Sequence, residues 1–167
     1  MNDLVEIIKV REDQKSILKQ LIELYEYDFS EFNEADINQY GFYDYKYFDH
    51  YWTEENRQAY FVKVSGQYAG FVLVNDHCYL VHNNSRAIAE FFIMRKYRRK
   101  GIGKVVSKLI FDTHRGYWEV LQHGNNPISK EFWESAIRNY THGDYSIQDV
   151  KTEYWEGQGI IFKNSEG

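Results

Sequence analysis

At 167 residues, with a net charge of −5 and 43% hydrophobic and 27% charged residues, the chain has the makeup of one globular domain rather than a disordered or low-complexity protein. The acidic total argues against a general nucleic-acid or acidic-membrane binder, and no apolar run approaches the roughly 20 residues of a membrane span. The N-terminus lacks the apolar core of a signal peptide and the single Cys78 cannot form an internal disulfide, so a reducing, cytoplasmic setting is expected.

Leu4 to Val10 reads as a first strand, and Glu12 to Phe32 as a helix with Leu18, Leu21, Ile22, Tyr25, Phe29 and Phe32 on one stripe. Phe32 to Tyr51 is polar and aromatic, and a short helix is expected from Tyr47 to Arg57. Ala59–Val64 and Ala69–Val74 are strands joined by Ser65-Gly66-Gln67, a hairpin signal. Residues 75 to 86 form a connection rich in Asn and His, with an extra strand suggested at Cys78–Val81. Ile88 to Met94 suits a buried strand, and Arg95 to Lys100 is a run of cations around one tyrosine. Gly101-Ile102-Gly103 then opens a helix to His114, with Val105, Val106, Leu109, Ile110 and Thr113 at helical spacing. Tyr117–Gln122 is the next strand. His123-Gly124-Asn125-Asn126-Pro127 breaks it, and the single proline opens a helix from about Ile128 to Tyr140. Tyr145–Val150 and Gly159–Phe162 are closing strands.

The stretch from Ile88 to His114 carries the chemistry. A strand–turn–helix unit points backbone N–H groups toward one spot at a helix N-terminus, where the macrodipole favours an anion. Glycine there removes the Cβ that would hold a phosphate away from the backbone. The Walker A pattern needs four residues between its glycines, then Gly-Lys-Ser/Thr, and is absent; the dinucleotide fingerprint needs a third glycine where Val106 stands. What is present is Arg98-x-x-Gly101-x-Gly103, and downstream Asn126-x-x-Ser129-x-x-Phe132-Trp133 after a strand-like Trp118-Glu119-Val120-Leu121.

These two elements resemble the GNAT superfamily of N-acetyltransferases. Its signatures are Arg/Gln-x-x-Gly-x-Gly/Ala and Asn-x-x-Ala-x-x-aromatic/aliphatic-Tyr. The resemblance implies a single α/β domain over residues 1–167, with a mixed, mostly antiparallel sheet, splayed central strands and helices on both faces. It implies acetyl-CoA as co-substrate and acetyl transfer to a small-molecule or peptide amine by direct attack in a ternary complex. Backbone amides of Arg98, Arg99, Lys100, Gly101, Ile102, Gly103 and Lys104 would cradle the CoA pyrophosphate. The strand at Phe92, Ile93 and Met94 would meet the pantetheine arm, with an amide near Phe92 or Ile93 binding the thioester oxygen; the same side chains also suit a core. Asn126 would contact the cofactor arm or cap the helix, and a one-residue slip would exchange it with Asn125.

Glu90 matches the glutamate that many family members place on this strand as general base; the other reading is a strand residue paired with a cation. Trp133 departs from the family tyrosine that protonates the leaving thiolate, because an indole N–H is no acid at neutral pH. It would pack against CoA or the core, leaving another tyrosine, such as Tyr140, or no acid at all, for the leaving group. Tyr25, Tyr27, Tyr40, Tyr43, Tyr47 and Tyr51 come from the segment forming the acceptor wall in the family, and with Asp28, Glu31 or Asp44 they would suit a cationic amine; the other reading of each is core packing or a solvated loop residue. The histidines lack metal-ligand spacing, so no metal is expected. No nucleic-acid or membrane partner is expected, and a homodimer is compatible with the resemblance. The competing reading is a non-catalytic acyl-CoA-binding sensor or interaction module on the same fold.

Overall fold

Burial of successive residues along the central strands gives the sheet two apolar faces, each covered by helix. The computed structural model describes residues 3–123, 126–153 and 155–164. Its strands are β1 Val5–Lys9, β2 Gln58–Val64, β3 Gln67–Asn75, β4 Ser85–Ile93, β5 Gly116–His123, β6 Ser146–Lys151 and β7 Glu156–Asn164. Its α-helices are α1 Lys15–Asn33, α2 Ile102–Phe111 and α3 Pro127–Thr141. The sheet runs β1-β2-β3-β4-β5-β7-β6. β4 and β5 pair in parallel, and every other described neighbour pair is antiparallel. A parallel pair needs a crossover, and α2 supplies it.

α1 presents Leu18, Leu21 and Ile22 to Phe61, Phe71, Leu73 and Phe92 on one face. Burying each of these aliphatic side chains stabilises by about 1.5–3 kcal/mol. On the other face Ile102, Val106 and Ile110 of α2 and Trp133 and Ile137 of α3 pack on Val62, Val72, Trp118, Val120 and Ile160. α3 begins as the sequence suggests: Pro127 opens it and the Asn126 side chain accepts the Ser129 N–H at 3.1 Å. Among the described residues no helix is long and apolar enough to cross a membrane.

Three expectations change. The helix foreseen from Tyr47 to Arg57 is a five-residue 3-10 turn, Phe48–Trp52. Beyond it the chain turns off because Asn56 donates to Asp76 at 2.7 Å and Arg57 meets His77 at 3.1 Å. No strand forms at Cys78–Val81: the amides of Tyr79 and Leu80 donate instead to the fully buried Glu119 carboxylate, at 2.9 and 2.6 Å. α2 stops at Phe111, not His114, where the Thr113 amide turns back to Ile110.

Candidate active site

The site grows out of an irregularity in β4. Glu90 pairs with Leu73 and Ile88 with Val74, so Ala89 is one residue too many for β3. Two successive residues, Ala89 and Glu90, therefore face α1, while Ile88 and Phe91 face α2 and α3. A bulge bends its strand. The parallel ladder to β5 joins only Ser85–Ala87 to Tyr117–Glu119, although β4 continues to Ile93 and β5 to His123. Beyond that point β4 keeps β3 as partner and β5 keeps β7, leaving an opening between them.

One edge of that opening has backbone groups to offer. Met94 donates its N–H to Ala69 of β3, so by the two-residue repeat of a strand Ile93 turns its own amide away from β3. The Ile93 carbonyl, which points the same way, accepts Arg98 Nε at 2.7 Å. The two amides expected at the thioester oxygen differ in direction. The Met94 amide is occupied, and the Phe92 amide shares its direction. The Phe92 ring is a core side chain, and Ile93 is the residue whose amide faces the gap.

β4 then runs through a short 3-10 turn, Arg95–Tyr97, into the start of α2. The sign of φ alternates from Arg98 to Gly101, with Arg99 at 62° and Gly101 at 77°. Alternation of this kind gathers successive amides around a concavity. Gly101 is the N-cap in the left-handed region, which glycine adopts without strain. The N–H groups of residues 99 to 104 take no acceptor among the described residues. Arg99, Lys100 and Lys104 are exposed around them, while Ile102 is buried and has only its amide to contribute.

Two members of the Arg98-x-x-Gly101-x-Gly103 pattern have other local tasks. Arg98 reaches Asp28 of α1 at 2.7 Å as well as the Ile93 carbonyl, and Arg95 reaches the same carboxylate at 2.9 Å. These struts tie the turn to α1. Burial would raise the Asp28 carboxyl, but the two arginines outweigh it and hold the group below its usual range. A Cβ on Gly103 would stand 2.9 Å from the Phe132 ring of α3, so this glycine lets the two helices approach; contact with a phosphate is not its only reason to be glycine.

On the α1 face the Tyr25 hydroxyl donates to the Glu90 carboxylate. The residue is partly accessible at its edge, yet burial pushes its carboxyl up to about 7. The Tyr25 and Tyr45 hydroxyls pull it down, and the charge of Glu26 pushes it further up. Tyr25 is itself moved well above the ordinary phenol value, first by burial and then by the Glu90 charge. Glu23 accepts the amides of Tyr43 and Asp44, at 2.8 and 2.9 Å, and so fixes the segment carrying Tyr45 beside α1. Tyr45 and Tyr51 are likewise raised, mainly by burial.

The other expected residues scatter. Trp133, placed by the sequence against CoA or the core, is 5% exposed and packed between Phe91, Phe111 and Phe132. Tyr140 donates to Asp112 at 2.7 Å and accepts from Asn164, which makes it a strut at the far end of α3. Of the tyrosines expected to line an acceptor wall, Tyr25 and Tyr51 lie on the Glu90 side, where Tyr45, not among those expected, joins them; Tyr27, Tyr40 and Tyr47 are exposed, Tyr43 is partly buried, and Asp28 is engaged by arginines. Asn126 caps α3, and Asn125 lies outside the described residues. Tyr45 and Glu26 carried no sequence signal beyond their place in a tyrosine-rich, acidic stretch. A cavity of about 750 Å³ lies beyond β5, bordered by Gln122, Lys130 and the β6–β7 hairpin, on the opposite side of that strand from Glu90.

The acetyltransferase (GNAT) family profile matches residues 19–137, from α1 through both glycine-turn and α3 elements. No curated protein sequence matches the chain. An acetyltransferase from Thermus thermophilus superposes with a TM-score of 0.68 at 12% identity, over 96% of this chain and 97% of that one. Spermidine N-acetyltransferase from Vibrio cholerae, solved with CoA and spermine, gives 0.63 at 9% identity over 95% of each chain. The aminoglycoside acetyltransferase AAC(6')-Ib, solved with coenzyme A, gives 0.62 at 13% identity over 96% and 95%. At such identities the structures speak for the fold, and the profile match speaks for descent: the chain belongs to the acetyltransferase (GNAT) family.

Proposed function

We propose that this protein, as a single domain over residues 1–167, transfers an acetyl group from acetyl-CoA to an amine, small molecule or peptide, by direct attack with both substrates bound. The observation that carries the reading is the layout of β4. It holds a carboxyl near neutrality, parts from β5 beside it, and ends in a turn whose amides from 99 to 104 take no acceptor among the described residues. Glu90 faces α1 and α2 lies on the other face, so the opening connects the two sides of the sheet.

In this reading the amides of residues 99–104 and the charges of Arg99, Lys100 and Lys104 receive the CoA pyrophosphate. The pantetheine arm lies along the free edge of β4, and the Ile93 amide donates to the thioester oxygen as negative charge develops there. Arg98 acts through the backbone it braces. Asn126 shapes the turn at the start of α3. Glu90 takes a proton from the ammonium, the neutral nitrogen attacks the thioester carbonyl, and the C–S bond breaks; CoA departs as the thiolate, and the second nitrogen proton passes to that thiolate, directly or through solvent. An alkylammonium with a pKa of ~10.4 needs such a base near neutrality, and a carboxyl near 7 is well matched to the task. Glu26 and Glu90 on the acceptor side favour a cationic amine, in keeping with the spermidine and aminoglycoside enzymes that share the fold.

Thermal melting with acetyl-CoA tests the cradle. Acetyl-CoA should raise Tm by mass action, and the double change Arg99→Glu with Lys100→Glu should remove most of that rise. An unchanged rise in the double variant would put the phosphate elsewhere. One observation favours a second reading: the residue at the family's acid position is a tryptophan enclosed in the core. A non-catalytic acyl-CoA sensor would show the same Tm rise but release no free thiol across an amine panel.

A further inference from the structure

We propose that Tyr25 is a positioning residue for acetyl transfer, its hydroxyl holding the Glu90 carboxylate at the mouth of the β4–β5 opening. The proposal rests on the reading of Glu90 as the base. A glutamate side chain has three rotatable bonds, and the bulge fixes only the face from which it leaves the strand. Tyr25 fixes the remainder. Its ring stacks on Phe29 at 6.0 Å and meets the edges of Phe71 and Phe92 at 5.5 and 5.6 Å. Held on three sides by aromatic rings, the phenol has one direction in which to point, and it donates to Glu90 from α1, 65 residues away in sequence.

The donated hydrogen bond favours the charged carboxylate, the form that accepts a proton, against the burial and the Glu26 charge that favour the neutral acid. The titratable groups facing Glu90 are Tyr25 and Glu26 from α1, Tyr45 from the segment between α1 and the 48–52 turn, and Tyr51 from that turn. Of these, Tyr25 has the hydroxyl in direct hydrogen-bond contact and the ring most tightly held. Without it, Glu90 would keep its place in the chain and lose both its orientation and part of its acidity.

The experiment is a carbon-13 carboxyl titration of Glu90 in the wild type and in Tyr25→Phe, with the resonance assigned by its absence in Glu90→Gln. The same three proteins are assayed for thiol release from acetyl-CoA with an amine panel across pH. Tyr25→Phe removes one oxygen and keeps the ring; its circular dichroism and Tm establish that it is folded. The expected result is a Glu90 midpoint higher by about one pH unit, as a charge-assisted donor is lost, with the low-pH limb of kcat/KM displaced by the same amount. The KM for acetyl-CoA should not change. An unmoved midpoint overturns the proposal. If Glu90→Gln transfers acetyl as the wild type does, the base reading fails whatever Tyr25 does. If Glu90→Gln is inactive and Tyr25→Phe keeps the wild-type midpoint and limb, the Tyr25 assignment alone fails.

Discussion

Replacing Glu90 by glutamine should stabilise the protein above neutral pH while removing its activity. In the unfolded chain this carboxyl titrates near its ordinary 4.5, and in the fold burial lifts it to about 7. Between those values the folded state holds a proton that the unfolded state has released. Stability therefore falls as pH rises through this window, and above it the full penalty for a buried charge is present. At ~1.4 kcal/mol per pH unit the separation corresponds to about 3 kcal/mol. Glu90 keeps an accessible edge, so about 1–2 kcal/mol is the fairer expectation. Glutamine keeps the shape and an acceptor for Tyr25 but carries no charge. For a chain of this size, Glu90→Gln should raise Tm by roughly 2–8 °C at pH 8 and leave it nearly unchanged at about pH 4, below the unfolded-state value. Calorimetry at the two pH values reads the difference directly, and kcat/KM should meanwhile fall by roughly 10²-fold near neutrality. Equal Tm values at pH 8, or an equal loss at both, would refute the claim that a destabilising charge is kept here for chemistry.

Gly103→Val should lower stability by about 1–3 kcal/mol in urea titration, with or without acetyl-CoA, because the new side chain meets Phe132; wild-type stability would mean that α3 yields easily. Asp28→Ala should cost less than about 1 kcal/mol, since its ion pairs are partly exposed, yet raise the KM for acetyl-CoA several-fold by releasing Arg95 and Arg98; an unchanged KM would show that the turn needs no brace. Trp133→Tyr should leave the pH–rate profile unaltered and cost about 1–2 kcal/mol through the void beside Phe91 and Phe111; a clear gain in kcat would show that a phenol there reaches the sulfur.

Much of the framework is local enough to be legible in sequence. The α1 stripe, the Ser65-Gly66 hairpin, Pro127 opening α3 and the glycine turn after β4 are each set by a few neighbouring residues. Two of the changed expectations, at Tyr47–Arg57 and Cys78–Val81, share a cause in hydrogen bonding to residues distant in sequence, whereas α2 ends early through a local turn. The stretch at Cys78–Val81 has the composition of a strand, but Glu119, some forty residues later, takes its amides. Arg98 belongs to a binding pattern and is engaged by Asp28, seventy residues earlier. Within the site, the sequence singles out Glu90 and the turn, because strand and motif are contiguous. It does not single out Tyr45, and it offers several tyrosines of equal standing with Tyr25, because only the packing of α1 on β4 selects among them. Nor does it reveal that Trp133 is enclosed by Phe91 of the strand and Phe111 of α2.

The central claim is that β4 presents both a cofactor cradle and a working base. The most direct test incubates wild type and Glu90→Gln with acetyl-CoA and a panel of amines, and follows acetylated product by mass spectrometry alongside free thiol. Both proteins should bind acetyl-CoA with the same rise in Tm. The wild type should release thiol and acetylated amine in equal amounts, and Glu90→Gln should release little of either near neutral pH. Binding by both proteins with no acetylated product from the wild type, or equal product from the two, would contradict the account.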